Sequence, residues 1–188
     1  MINITDFKEN LGLSQVPSEL EKLIYFQNNI SSFGNYSKGF GILIDEKWGL
    51  KSWSEDEDFL NRLIPFAQAN DTGSFYAIWN DGTNRPLNQM PIVVFGDEGG
   101  VHLIAENILQ LFHLLTYDTE IWVDFDQAYF YKDKNNYEES EDLGDYLKWM
   151  KGDYGLGQIE SPAELIKTAQ EKHKGNFDQW FGQYFKDE

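Results

Sequence analysis

"PIVVFGDEGGVHLIAENILQLFHLL", residues 91 to 115, carries the signals that decide the fold. Two short apolar runs, PIVVF and VHLI, flank Asp97, Glu98, Gly99 and Gly100. Glycine supplies the positive backbone angle that other residues resist, so the pattern predicts two strands joined by a hairpin turn. The Gly-Asp-Glu-Gly-Gly run matches neither a phosphate-cradling P-loop nor a dinucleotide fingerprint, because both need a helix directly after the loop and here a strand follows. Beyond the second run, AENILQLFHLL (105–115) places Ile108, Leu111, Phe112 and Leu115 at spacings of three and four, which predicts a helix buried on one face.

Working outward, SFYAIW (74–79) lies between Asp71-Thr72-Gly73 and Asn80-Asp81-Gly82 and reads as a buried strand with a turn on each side. GILI, starting at Gly41, suits another strand, and IWVDF (121–125) and AYFYK (128–132) alternate as two more. Ser18 with Glu21 predicts a capped helix from about Pro17 to Asn29. Ser54 with Glu57 opens a second, with Phe59, Leu60, Leu63 and Ile64 on one face and Pro65 ending it. EESEDLGD (138–145) is a solvated acidic loop or a helix start. The tail, about 142–186, reads as helical: DYLKWMK, then SPAELIKTAQEKH with Ser161 as cap, Pro162 in the first turn and Glu164 closing the box, then NFDQWFGQYF capped by Asn176. No repeat and no Gly- or Pro-rich linker divides the chain, so residues 1–188 are expected to form a single domain of strands and helices, with a helical tail.

A chain of 188 residues has the length of one core, and 41% hydrophobic with 16% aromatic residues is enough apolar surface to offset the entropy of ordering it. Without cysteine there is no disulfide, thiolate nucleophile, zinc ribbon or iron–sulfur site. The start MINITDFKENLG lacks a signal-peptide pattern, and no run nears the roughly 20 apolar residues that cross a bilayer, so a soluble cytoplasmic protein is expected. Acidic residues outnumber basic ones 32 to 15, and a net charge of -17 repels phosphate backbones and anionic lipids. Direct nucleic-acid or membrane binding is therefore not expected. The charge serves either solubility or attraction of a basic partner.

His102, His113 and His173 show no metal-ligand spacing, and no nucleophile elbow occurs, so no cofactor, metal or catalytic residue is assigned. His102 near Asp97 and Glu98 is at most half a metal site. Glu55, Asp56, Glu57 and Asp58 sit at a helix start, where the dipole alone explains them, or else present charge to a partner. Residues 118–145 hold ten Asp or Glu and two Lys, interleaved with Trp122, Phe125, Tyr129, Phe130, Tyr131 and Tyr137. Aromatic anchors among acids suggest a contact surface for a cationic protein, although alternating aromatics could equally be core. The candidate partner-binding residues are Glu55, Asp56, Glu57, Asp58, Trp122, Asp124, Asp126, Tyr129, Tyr131, Glu138, Glu139, Glu141 and Asp142.

LIPFAQANDTGSFYAIW (63–79), followed by the opening stretch, resembles the core of the SUKH superfamily, which includes the Smi/Knr-like regulators and many bacterial immunity proteins. The likeness rests on the Ile-Pro-Phe-Ala run, a glycine before an aromatic strand, a Pro-led strand ending in Phe, a turn, and a helix opened by Ala-Glu-Asn. It covers residues 63–115, a little over a quarter of the chain. The resemblance implies a single α+β domain with a central, mainly antiparallel sheet flanked by helices, transfers no catalytic residue to this chain, and implies a function in neutralising a toxin, often a nuclease or deaminase. A Smi/Knr-like regulatory or scaffolding module without a toxin partner is the alternative. A carboxylate-dependent sugar hydrolase using Trp53 or Trp79 for stacking is a third reading.

Overall fold

The computed structural model describes residues 1–43 and 47–185. Within them the chain forms α1 (Ile4–Asn10), α2 (Ser18–Asn29), β1 (Gly41–Ile42), α3 (Lys47–Lys51), α4 (Glu57–Arg62), β2 (Leu63–Gln68), β3 (Phe75–Trp79), β4 (Ile92–Phe95) and β5 (Val101–Ala105). There follow α5 (Ile108–Leu115), β6 (Ile121–Val123), β7 (Ala128–Phe130), α6 (Leu143–Tyr154) and α7 (Pro162–Phe181). The fold is α+β. Strands β1 to β5 pair in sequence order as an antiparallel meander, and β6 and β7 make a separate two-stranded sheet.

Both faces of the meander are covered, which is why its strands read as apolar runs and not as alternating ones. Tyr76, Ile78, Ile92, Val94 and Ile104 point to one core, shared with Phe7 of α1, Leu23 and Phe26 of α2, Leu111 and Phe112 of α5, and Tyr146 of α6. Ala77, Trp79, Val93, Phe95 and Leu103 point to the other, with Leu50 of α3, Phe59 of α4, and Phe177 and Trp180 of α7. Helix α7 joins the two cores, since Ile166 belongs to the first and Ala169 to the second. On the way Gln170 donates its amide to the Leu103 carbonyl at 3.1 Å, which occupies an acceptor on strand β5 at the end of the sheet order.

The strand–turn–strand–helix reading of 91–115 holds, with Asn107 as the cap of α5, accepting from the Gln110 N–H at 2.9 Å. Other expectations need correction. Leu63 and Ile64 keep the helical spacing of Phe59 and Leu60, yet the helix stops at Arg62 and Leu63–Gln68 pairs with β3. The ring of Pro65 disfavours a helical Ile64, and a register shift between Pro65 and Ala67 lets the strand accommodate a residue without an N–H. The α4 cap is Asp56, not Ser54, and Ser18 lies inside α2, its hydroxyl turned to Glu19. Ser161 caps α7 by position without a side-chain bond. The two predicted tail helices after Ser161 are one: α7 runs through Gly175 and Asn176, its cost in helix propensity offset by burial of Phe177 and Trp180. Ile44 of the expected GILI strand and Lys186 of the expected tail lie outside the described residues.

Candidate functional site

The β6–β7 hairpin presents two different faces. Register pairs Ile121 with Phe130 and Val123 with Ala128, and these face the first core; Trp122 pairs with Tyr129 on the opposite, outer face. Trp122 is 61% exposed, Tyr129 38%, and Tyr131, two residues on, 62%. The tip is a two-residue turn over Phe125 and Asp126: the Asp124 N–H donates to the Gln127 carbonyl at 3.0 Å, and the Asp124 carboxylate accepts from the Asp126 and Gln127 N–H groups at 2.9 and 2.8 Å. Phe125 at that tip is 78% exposed. Of the two readings of these aromatics, the outer set is surface and Phe130, partly buried, packs against the core.

The hairpin is seated on the β4–β5 turn, and this explains the glycines of the opening stretch. A Cβ at Gly100 would lie 2.0 Å from the Asp124 carbonyl oxygen, and one at Gly99 would lie 2.4 Å from the Phe125 ring. Both residues also have positive φ, 112° at Gly99 and 81° at Gly100. His102 Nε2 donates to the Asp124 carbonyl at 2.7 Å, so it serves as a clasp between the two hairpins. Among the described residues no group of three or more His, Asp or Glu is placed to hold a metal ion.

The acidic residues divide into two populations. Asp118, fully buried at φ 58°, accepts from Tyr137 Oη at 2.6 Å, from the Ser140 N–H and hydroxyl at 2.9 and 2.6 Å, and from the Lys38 N–H at 3.1 Å. Asp142, buried at 3% exposure, accepts from the Ser31 hydroxyl and from the N–H groups of Ser32, Phe33 and Gly34. Burial opposes ionisation of Asp142, but the Ser31 hydroxyl and the three amides outweigh it and hold the carboxyl below its usual range. Asp142 was a candidate partner-binding residue; it is a structural one, its carboxylate spent on the loop after α2. Asp124, Asp126, Glu138, Glu139 and Glu141 are exposed.

In the other acidic run, Asp56 accepts from the Asp58 and Phe59 N–H groups at 2.8 and 3.2 Å, and Tyr184 Oη donates to Asp58. Burial and that bond push the Tyr184 hydroxyl up to about 12. Helix capping therefore accounts for Asp56, while Glu55 and Glu57 stay exposed.

A cleft of about 660 Å³ opens between α3 and the ends of β3 and β4, walled by Trp53 and Phe75 and rimmed by Ser74, Asp97 and Glu98. A small cavity of about 190 Å³ shares Asp97 and Glu98 with it and adds Glu120 and Trp122. A third, of about 300 Å³, shares Glu120 and adds Lys132 and Glu138. One strip thus runs from the cleft, across the β4–β5 turn, to the hairpin and the acidic loop. Along it Asp97 Oδ1 accepts from the Ser74 and Thr72 hydroxyls at 2.7 and 2.9 Å; burial works against its charge, and those bonds overcome it and lower the pKa. Glu120 is raised, by burial first and by the neighbouring Asp71 second. Lys132 lies over the rings of Tyr117 and Tyr137, 4.7 and 3.8 Å from their centroids, which ties one of the strip's cations to the protein itself.

No family model matches the chain, and neither a curated protein nor a solved structure is significantly similar. Asp97, Glu98, Glu120 and Phe125 belong to the strip but were not among the candidate residues. For Phe125 the signal was present, an aromatic between two acids at a hairpin tip; Asp97 and Glu98 read as turn residues, which they also are. Trp79, offered as a sugar-stacking surface, is 1% exposed and cannot serve as one. Among the described residues no helix is long and apolar enough to cross a membrane.

Proposed function

We propose that this chain is a non-enzymatic immunity protein of the SUKH type, which binds and neutralises a cognate basic toxin of the nuclease or deaminase class in the cytoplasm. The observation that carries the reading is the outer face of the β6–β7 hairpin, where Trp122, Phe125, Tyr129 and Tyr131 are exposed side by side with Asp124 and Asp126. Monomeric soluble proteins rarely leave such an aromatic group uncovered, and Trp and Tyr are the residues that anchor protein interfaces at low entropic cost. A nuclease must present cations to phosphate, and a chain of net charge -17 with an acid-rimmed aromatic face is complementary to that surface. The α+β fold with helices on both sheet faces is the class that the SUKH resemblance implies, which supports the reading at the level of fold.

The test is affinity capture from producing cells at low and high salt, followed by co-expression of each captured protein with and without this chain. A basic protein that arrests growth alone, is tolerated with this chain, and is released by salt is the expected result. A captured partner with no toxicity of its own, such as a wall-synthesis protein, would replace immunity with the regulatory or scaffolding role.

A further inference from the structure

We propose that the cleft beside Trp53 is an arginine pocket, receiving a guanidinium from a loop of the basic partner while the hairpin engages the surrounding surface. The inference rests on the protein-binding reading above and names the chemistry at one end of the strip. A volume of about 660 Å³ is in the range of side-chain and small-ligand sites and is too small for a partner helix and its neighbours. Its walls combine the two features a guanidinium uses at once. Trp53 and Phe75 offer ring surface for stacking, and Asp97 and Glu98 offer carboxylates for a forked pair of N–H donors.

The walls are also packed in place. Phe75 stacks on Phe95 at 5.0 Å between centroids with 4° between planes, and Trp53 meets the same Phe95 edge-on at 5.3 Å. The Asp97 carboxylate is oriented by Ser74 and Thr72, both bonding to Oδ1. Those hydroxyls lower its pKa against the effect of burial, so the acceptor stays charged under mildly acidic conditions. At Gly96 a Cβ would lie 2.2 Å from the Gly99 carbonyl oxygen, so the floor between the walls has to be bare backbone. Lysine, a compact ammonium without a planar face, would use the carboxylates and forgo the stacking.

Titration of the ¹⁵N-labelled full chain with N-acetyl-arginine amide tests this, with the lysine and citrulline compounds as controls. Saturable shifts confined to the Gly96 and Gly99 amides and the Trp53 indole, at least about fivefold weaker with the lysine compound and lost with citrulline, are expected. Trp53→Leu and Glu98→Gln should each weaken binding about tenfold; Glu98 is exposed, so its variant keeps the fold if Trp53→Leu does not. Shifts spread evenly over the acidic surface, equal response to citrulline or lysine, or unchanged affinity in Glu98→Gln would overturn the pocket. Because the probe is a small molecule, this outcome is independent of whether the captured partner is a toxin. Full growth protection by Glu98→Gln at wild-type affinity would likewise remove the pocket while leaving immunity in place.

Discussion

Trp79 and Trp122 both sit in antiparallel pairs among aromatic and β-branched neighbours, yet one is 1% and the other 61% exposed. The difference lies in what covers each sheet. The five-stranded meander has helices on both faces, so every strand position from Tyr76 to Trp79 and from Ile92 to Phe95 is buried. The β6–β7 hairpin has the core under one face and leaves the other largely open, with Trp122 61% and Tyr129 38% exposed. Identical residue types therefore stabilise the fold in one sheet and offer a surface in the other. The acids follow the same division, with Asp118 and Asp142 enclosed by donors and Asp124, Asp126, Glu138 and Glu139 facing solvent.

The largest effect should separate the two tryptophans. Trp79→Ala removes a ring packed at 5.1 Å against Phe177 and 5.6 Å against Trp180, and should cost about 3–5 kcal/mol in urea denaturation. Trp122→Ala should cost at most about 2 kcal/mol, because most of its surface stays exposed on folding. If both variants lose equal stability, the hairpin's outer face is part of the core and not a surface.

Next in size is the division among the acids. Asp142→Ala leaves the Ser31 hydroxyl and three amides without their acceptor and should cost about 3 kcal/mol, against about 0.5 kcal/mol or less for Glu139→Ala in the same segment. Gly100→Ala places a methyl against the Asp124 carbonyl at a positive φ and should cost about 1–3 kcal/mol. Its signature is local: the His102–Asp124 bond opens and Trp122 fluorescence changes before the rest of the chain unfolds.

The smallest effect is one of pH. His173 on α7 is buried, and its Nε2 has no hydrogen-bond partner among the described residues. Burial lowers its pKa, with the charges of Arg85 and Lys172 adding to this and those of Glu106 and Asp81 opposing it. A depressed folded pKa means full stability above the ordinary histidine range of about 6.5, lost as pH falls through that value toward the folded one, because the unfolded chain takes up the proton first. His173→Phe should flatten the fall in stability between neutrality and about pH 5 seen in denaturation series. An unchanged slope would assign the fall to other groups.

Much of the fold was legible where local signals agreed. In 91–115 the apolar runs, turn glycines and helical spacing all point one way, and the structure follows them. At Leu63 and Ile64 they conflict, since helical spacing continues into residues that the sheet claims; pairing with β3 decides, and no local pattern reports it. Gly175 marked a break that burial of Phe177 and Trp180 overrides. The hairpin's exposed aromatics were legible as a mixed aromatic and acidic segment. That Asp142 is enclosed was not, because its donors lie far away in sequence, on the loop at Ser31–Gly34. The cleft was hidden for the same reason, as Trp53 and Asp97 meet only through the packing of α3 on the sheet.

The most direct measurement is the association rate of the captured partner, by stopped flow at several salt concentrations, with wild type and with Asp124→Asn, Asp126→Asn, Glu138→Gln and Glu139→Gln combined. If the exposed acids steer a cationic partner onto the hairpin, the variant should associate at least about tenfold more slowly at low salt, with a shallower salt dependence and a nearly unchanged dissociation rate. Equal association rates and equal salt dependence would show that the partner meets another surface.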